Sequence, residues 1–315
     1  MNSGLRWETD GQHWPHREAS HFVQADGLRW HTQQFGFSSD AQGRILKNQG
    51  PVALLIHGTG ASTHSWRGLV PLLEPHFTVL AVDLPGHAFT GMPAGGPTSM
   101  QLSLPGMARA LHALLAVLGI TPALVLGHSA GAAIGVRMCL DGLIAPQLVV
   151  GVNGAFLPLG GLAGQLFSPV AKLLAAAPFV PKLFSWRAAD PTVLQKLIDG
   201  TGSKLDVAGL ALYGQLVANP GHAAGALGMM ANWDLPQLAR DLPRLTTPLC
   251  LVVGSNDRTI APDQASRVLA MLPPSAKSTL ITLEGLGHLA HEERPDLAAQ
   301  VILKQFELAR TNPQG

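Results

Sequence analysis

Three residues of the types that perform acyl transfer stand in glycine-rich settings along this chain. Gly127-His128-Ser129-Ala130-Gly131 sets a serine between two glycines, after an apolar run (ALVL) and before a helical pattern (AAIGVRMCL). A strand–turn–helix of this kind exposes a serine hydroxyl on a sharp turn, where it can act as a nucleophile. A hydroxyl needs a base, and the base needs an acid that orients it. Asp257 lies just after the apolar run Leu249–Gly254, where the turn that ends a strand would carry such an acid. Its plainer reading is a turn aspartate or a helix cap, a role that suits Asp263. Thirty-one residues beyond Asp257, His288 closes Gly285-Leu286-Gly287-His288, a loop flexible enough to bring an imidazole over the end of a sheet. His291 competes for the role of base, but its place at the approach to a helix reads as packing or surface. An oxyanion needs N–H donors. The amide after the serine, Ala130, is one, and Thr59 in His57-Gly58-Thr59-Gly60 is the other, unless that stretch is only a tight turn.

Elements must position these residues. From residue 50 onward, short apolar runs alternate with longer helical patterns, which predicts an α/β fold with a mostly parallel central sheet and helices on both faces. The expected strands are Val52–His57, Thr78–Asp83, Leu124–His128, Leu148–Asn153, Leu249–Gly254 and Ser278–Leu283, with Leu28–Phe35 as an antiparallel edge strand. The expected helices are Thr63–Leu73, Met100–Leu118, Ala130–Leu140, Asp263–Met271 and Pro295–Leu308. The alternation breaks between Ala155 and Leu242, a Gly-, Pro-, Leu- and Ala-rich stretch with helix-like pieces (VAKLLAAA, PTVLQKLIDG). An insertion there would roof the carboxyl ends of the strands, where ligands bind in such sheets. The expected organisation is an N-terminal segment 1–25, a core of 26–154 and 243–315, and a helical cap at 155–242.

Composition narrows the partners. Of 315 residues 47% are hydrophobic and 13% charged, with 21 Lys+Arg against 20 Asp+Glu. That charge share is about half of the usual ~25%. Such a chain is not disordered, and near-zero net charge gives no reason to expect nucleic acid as a partner. No secretory h-region, no membrane-length apolar run and no G-x-x-x-x-G-K-[ST] loop is present. The expectation is a cytoplasmic protein without a transmembrane segment and without an ATPase motor. The longest charge-free run, Gly142 to Ala171, is broken by prolines and glycines. Cys139 and Cys250 sit in apolar contexts and read as buried, reduced thiols.

HGTG, Asp83-Leu84-Pro85-Gly86-His87, GHSAG, GSND and GLGH, in that order, resemble the α/β-hydrolase superfamily with a helical cap, over residues 26–310. In that likeness Asp83 fixes a turn and takes no part in catalysis, and Ala88-Phe89-Thr90 departs from the glycine and small polar residue that relatives often carry. Five stretches are similar to one branch: WPHREAS (14–20), HGTGASTHSWR (57–67), GHSAGAAIGVRMCLDG (127–142), GGLAGQLFSPVAKLLA (160–175) and MMANWDLPQLARDLP (229–243). That branch is the magnesium-chelatase accessory family of bacteriochlorophyll biosynthesis. The resemblance implies a place near magnesium insertion into protoporphyrin IX and a magnesium-chelatase contact. The charge-poor run Gly142 to Ala171, read by itself, is expected inside the roofed crevice or at a lip of the lid that touches a membrane peripherally.

The candidate pocket residues are Phe156, Phe167, Phe179, Phe184, Trp186, Met229, Met230 and Trp233, most of which must serve the cap's own packing. His64, His87, His128 and His222 could border the site, and any of them could ligate a porphyrin magnesium, although their spacing carries no metal signature. His13, His16, His21 and His31, with Trp7, Trp14 and Trp30, are either a partner surface or a segment folded onto the body. Two functions follow. The first is a serine hydrolase (Ser129, Asp257, His288, with the Thr59 and Ala130 amides) acting on an apolar ester, without metal or cofactor. The second is a non-catalytic accessory that binds a tetrapyrrole for magnesium chelatase. Lyase or C–C hydrolase chemistry on the same trio is a third reading.

Overall fold

The computed structural model describes residues 4–39, 45–47, 50–158, 177 and 179–311. Continuous Val/Leu/Ile/Ala runs buried on both faces form the central strands: β5 (Val52–Ile56), β6 (Thr78–Val82), β7 (Leu124–His128), β8 (Leu148–Val152) and β9 (Leu249–Gly254). With β1 (Ser20–Ala25), β2 (Leu28–Phe35) and β10 (Thr279–Leu283) they make one eight-stranded sheet in the order β1-β2-β6-β5-β7-β8-β9-β10. Every pairing from β6 to β10 is parallel, while β1·β2 and β2·β6 are antiparallel. Leu28–Phe35 is antiparallel as expected but is not the edge, because Ser20–Ala25 pairs along its outer side. A two-stranded ribbon, β3 (Phe37–Ser39) with β4 (Ile45–Lys47), stands apart from this sheet.

Alternate strand residues face two apolar layers. Leu54, Leu80, Val125, Val149 and Leu251 pack against helices Leu104–Leu118, Ala130–Leu140 and Asp263–Met271. Leu55, Val79, Leu126, Val150 and Val252 pack against Trp66, Leu69, Leu73 and the C-terminal helix Pro295–Thr311. Each fully buried Leu or Val contributes about 1.5–3 kcal/mol. Two expected helices are shorter than their apolar patterns. Ser103 caps Leu104–Leu118 by accepting from the Gly106 amide (3.2 Å), leaving Met100–Leu102 as a separate 3-10 turn. Thr63–Trp66 is likewise a 3-10 turn behind Ser62, and only Val70–Leu73 is α-helical.

The N-terminal aromatics fold onto the body. Trp14 is buried and donates Nε1–H to Thr63 Oγ1 (3.1 Å), and Trp7 sets its ring against Phe22, His31 and Phe89. Phe89 also meets Trp14 edge-on. The departure at Ala88-Phe89-Thr90 therefore anchors the first residues of the chain.

Between β8 and β9 the chain builds helices Val180–Ala188, Pro191–Gly200, Val207–Val217, Pro220–Ala231 and Leu235–Asp241. Four of them start at an Asp or Asn whose side chain accepts a backbone N–H: Asp190, Asp206, Asn219 and Asp234. PTVLQKLIDG is helical as expected, whereas all of VAKLLAAA but Ala177 and the whole of GGLAGQLFSPVAKLLA lie outside the described residues.

Candidate active site

Ser129 sits between β7 and the helix Ala130–Leu140 with φ 51° and ψ −115°, a conformation that costs a non-glycine residue strain. Tight packing holds it there. A Cβ on Gly131 would come within 2.0 Å of the Ile56 carbonyl oxygen, and one on Gly127 within 2.4 Å of the Ala132 backbone. Ser129 N–H donates to the Val152 carbonyl (3.0 Å), and its own carbonyl accepts from Ala132 and Ala155. The glycines of GHSAG are there so that β7, β5 and the helix can approach this closely.

Asp257 and His288 meet at the carboxyl ends of β9 and β10. His288 Nδ1 lies 2.8 Å from Asp257 Oδ2, and both side chains are buried. Asp257 Oδ1 accepts from the Thr259 and Ile260 amides (2.8 and 2.9 Å). Asn153, which the sequence reading did not single out, completes the arrangement. Its Nδ2 donates to Asp257 Oδ2 (2.6 Å) and to the Gly287 carbonyl (3.1 Å), while its Oδ1 accepts from Gly254 N–H (3.2 Å). The only hint in the sequence is a polar residue at the end of β8, beside the acid's strand.

The loop before His288 is pinned as well. His288 N–H donates to Thr201 O (3.1 Å), and Gly287 N–H to Glu293 Oε1 (2.8 Å). His128 Nε2 lies 2.9 Å from the His288 carbonyl; since a carbonyl only accepts, Nε2 carries the proton. Burial and the neighbouring His291 and His288 hold His128 well below the usual histidine range, so the ring is neutral. His291 is fully buried against Trp66 and His128, a packing residue with its pKa pushed down to about 3 by burial.

Ser129, His288, Thr59 and Ala130 all line one cavity of about 330 Å³, within the usual range for small-molecule sites. Among the described residues no hydrogen bond joins Ser129 Oγ to His288, and neither the Thr59 nor the Ala130 amide donates to a protein acceptor. Gly58 lets the HGTG loop come this close: a Cβ there would lie 2.8 Å from His128 Nδ1 and 3.0 Å from Ser129 Cβ. His57 braces the loop, its Nε2 accepting a hydrogen bond from the Leu84 N–H (2.9 Å) and its Nδ1–H donating to the Gly58 carbonyl (2.7 Å).

The cap side of the cavity is apolar, with Phe184, Ile198, Val217, Ala226, Met230 and Trp233. Of the other pocket candidates, Phe156 and Met229 belong to the core, Phe179 and Trp186 point to solvent, and Phe167 lies outside the described residues. His128 and His222 reach the cavity, but His64 and His87 do not. His222 is braced at both ring nitrogens, Nδ1 accepting from Ala88 N–H (3.0 Å) and Nε2 facing Gly60 O (3.1 Å). Asp83, beneath the site, holds His31 (2.7 Å) and the Thr63 and Phe89 amides, contacts that keep its carboxyl down at about 2 despite burial.

An ionic group ties the cap to the loop beyond His288. Arg67 bridges Glu292 (2.8 Å) and Asp206 (2.7 Å), the latter at the start of a cap helix. Tyr213, which lines the cavity, donates its hydroxyl to Glu292 (2.7 Å). Burial pushes Glu292 up to about 7 against the opposing pull of Arg67 and Tyr213.

Comparison with known proteins agrees with this architecture. The model of the alpha/beta hydrolase family matches residues 53–301. The chain is 37% identical over 294 residues to the magnesium-chelatase 30 kDa subunit of Rhodobacter capsulatus, covering 93% of this chain and 96% of that protein. It is 26% identical to a pimeloyl-[acyl-carrier protein] methyl ester esterase of Xylella fastidiosa, covering 80% and 94%. A crystal structure of a membrane phospholipase A, a bacterial virulence factor, superposes with TM-score 0.70 at 20% identity over 93% of this chain and 87% of that one, a likeness of fold. The chain belongs to the alpha/beta hydrolase family, in a group it shares with the magnesium-chelatase 30 kDa subunit of Rhodobacter capsulatus.

Proposed function

We propose that the chain is a serine hydrolase acting on an apolar ester, with Ser129 as nucleophile, His288 as base and Asp257 as the acid that orients it. The observation that carries this reading is that His288, paired with the buried Asp257, lines the same cavity as a strained, glycine-flanked serine. Ser129 Oγ attacks the ester carbonyl while His288 Nε2 takes its proton. The carbonyl oxygen becomes an oxyanion held by the Thr59 and Ala130 amides. His288 then gives the proton to the departing alcohol, leaving an acyl-serine. Water, deprotonated by His288, attacks that acyl group, and the free acid leaves with Ser129 reprotonated. An open Ser129–His288 contact suits a site without substrate, since such bonds tighten in the complex.

The apolar wall supplied by the cap favours an aliphatic or aromatic acyl or alcohol group. The 37% identity to a magnesium-chelatase subunit supports a role in bacteriochlorophyll biosynthesis around magnesium insertion into protoporphyrin IX, including contact with the chelatase. Both ring nitrogens of His222 are engaged, so it would offer no lone pair to a porphyrin magnesium. The same relationship favours the second reading, a non-catalytic tetrapyrrole-binding accessory factor.

Complementation separates the two. In a bacteriochlorophyll-producing strain lacking its own relative of this chain, the wild-type chain is expected to restore pigment and Ser129→Ala, at equal protein level, to fail. Full rescue by Ser129→Ala would overturn the catalytic reading in favour of the accessory one.

A further inference from the structure

Helix Val180–Ala188 is built inside out. A helix on a globular body buries its large apolar residues and exposes its polar ones. Here the small Pro181, Ser185 and Ala188 face inward, while Leu183 and Trp186, with Phe179 just before the helix, are 55%, 70% and 64% exposed. Phe179, Leu183 and Trp186 are spaced at i, i+4 and i+7, so they form one outward stripe. Exposed Lys182 and Arg187 flank it, and the next helix adds exposed Lys196 and Leu197 beside it.

Helix Val180–Ala188 carries Lys182 and Arg187 and no acid; Asp190 stands beside Arg187, and Asp199 lies on the next helix. From Gly142 through Ala189 the sequence contains no Asp or Glu. The next acid, Asp190, is engaged as the cap of the following helix, accepting from Thr192 N–H (2.8 Å). Phe184 on the same helix is both 39% exposed and part of the cavity wall, so the stripe borders the cavity.

We propose that this face docks the protein on an anionic lipid bilayer and sets the mouth of the cavity against the lipid. Aromatic side chains settle at the level of the headgroups, and flanking Lys and Arg reach anionic lipid phosphates. A second copy of the chain is the poorer partner, because a two-fold contact would set Lys182 and Arg187 against the same residues of the other copy. Among the described residues no helix is long and apolar enough to cross a membrane, so the contact is superficial. Docking does not depend on serine chemistry; that the lipid supplies the substrate rests on the hydrolase reading.

The test is co-sedimentation of the full chain with vesicles of phosphatidylcholine alone and of phosphatidylcholine mixed with phosphatidylglycerol. Wild type and Ser129→Ala should bind the mixed vesicles equally. The double variant Phe179→Ser/Trp186→Ser should lower the partition coefficient roughly tenfold or more. Lys182→Glu/Arg187→Glu should erase the preference for anionic vesicles, by roughly fivefold per charge. The proposal is overturned if wild type binds neither vesicle, or if both double variants bind as wild type does. It is equally overturned if the chain forms a concentration-dependent dimer that Phe179→Ser/Trp186→Ser abolishes. If docking holds while Ser129 proves inert in catalysis, the membrane surface stands and the hydrolase reading alone falls.

Discussion

Asn153 shows what a side chain without chemistry of its own contributes to this site. One amide group reaches the acid, the histidine loop and the end of β9 at once. It also holds a left-handed backbone at φ 48°, which asparagine tolerates better than most residues. Asn153→Gly keeps that backbone relaxed and deletes all three bonds. In the hydrolase account the bond to the Asp257 carboxylate is worth about 1.5–3 kcal/mol. Hydrolysis of a short aryl ester should therefore fall by roughly 10–100-fold in kcat, with KM changed by no more than about twofold. A loss confined to KM, or none, would show that Asn153 does not position the acid. Sequence reading singled out Ser129, His288, Thr59 and Ala130 because glycine spacing marks sharp turns, and Asp257 because it follows the apolar run of a strand. It passed over Asn153 because a lone asparagine after a strand carries no pattern. Arg67, Asp206 and Glu292 were beyond it for another reason: they are brought together from three distant parts of the chain.

At the scale of elements, burial decides what was legible. Leu124–His128 and Leu249–Gly254 coincide with their apolar runs because both faces of these strands are covered. Ser20–Ala25 has a single buried residue, and its apolar pattern is too weak to announce a strand. It is held by pairing with β2, which displaces Leu28–Phe35 from the edge. Helix starts within Thr63–Leu73 and Met100–Leu118 were overrun because apolar periodicity continues through Ser103 and Pro71, where capping and the missing proline N–H set the boundary. Of the described cap helices only Pro191–Gly200 was marked in advance, by the helical pattern PTVLQKLIDG, and the periodicity of Val180–Ala188 gave no clue to which face is buried.

For the whole molecule, scarcity of surface charge coincides with a store of buried neutral histidines. Burial holds His222 down at about 4 and His291 at about 3, and also lowers His57, His64, His87 and His128. Unfolded histidines take up protons near pH 6.5 while these folded ones do not. Their contribution is therefore complete above about pH 6.5 and is lost as pH falls towards the folded values. At pH 5 His222 and His291 should each cost about 2 kcal/mol, a large share of a typical 5–15 kcal/mol. Urea unfolding should show a marked fall in stability between pH 7.5 and pH 5, and equal midpoints and slopes at the two would contradict the burial of neutral imidazoles. Asp83 adds its own loss only below the ordinary carboxylate range. Two of these histidines, His128 and His222, line one cavity with the strained serine and with His288, the partner of Asp257, and the account stands on what that cavity does. Its most direct test is to treat the full chain with a fluorophosphonate and map the adduct by mass spectrometry. The account predicts one adduct per chain, on Ser129, with labelling abolished in Ser129→Ala and slowed in His288→Ala. Absence of an adduct under conditions that label a control serine hydrolase, or an adduct on another residue, would contradict it.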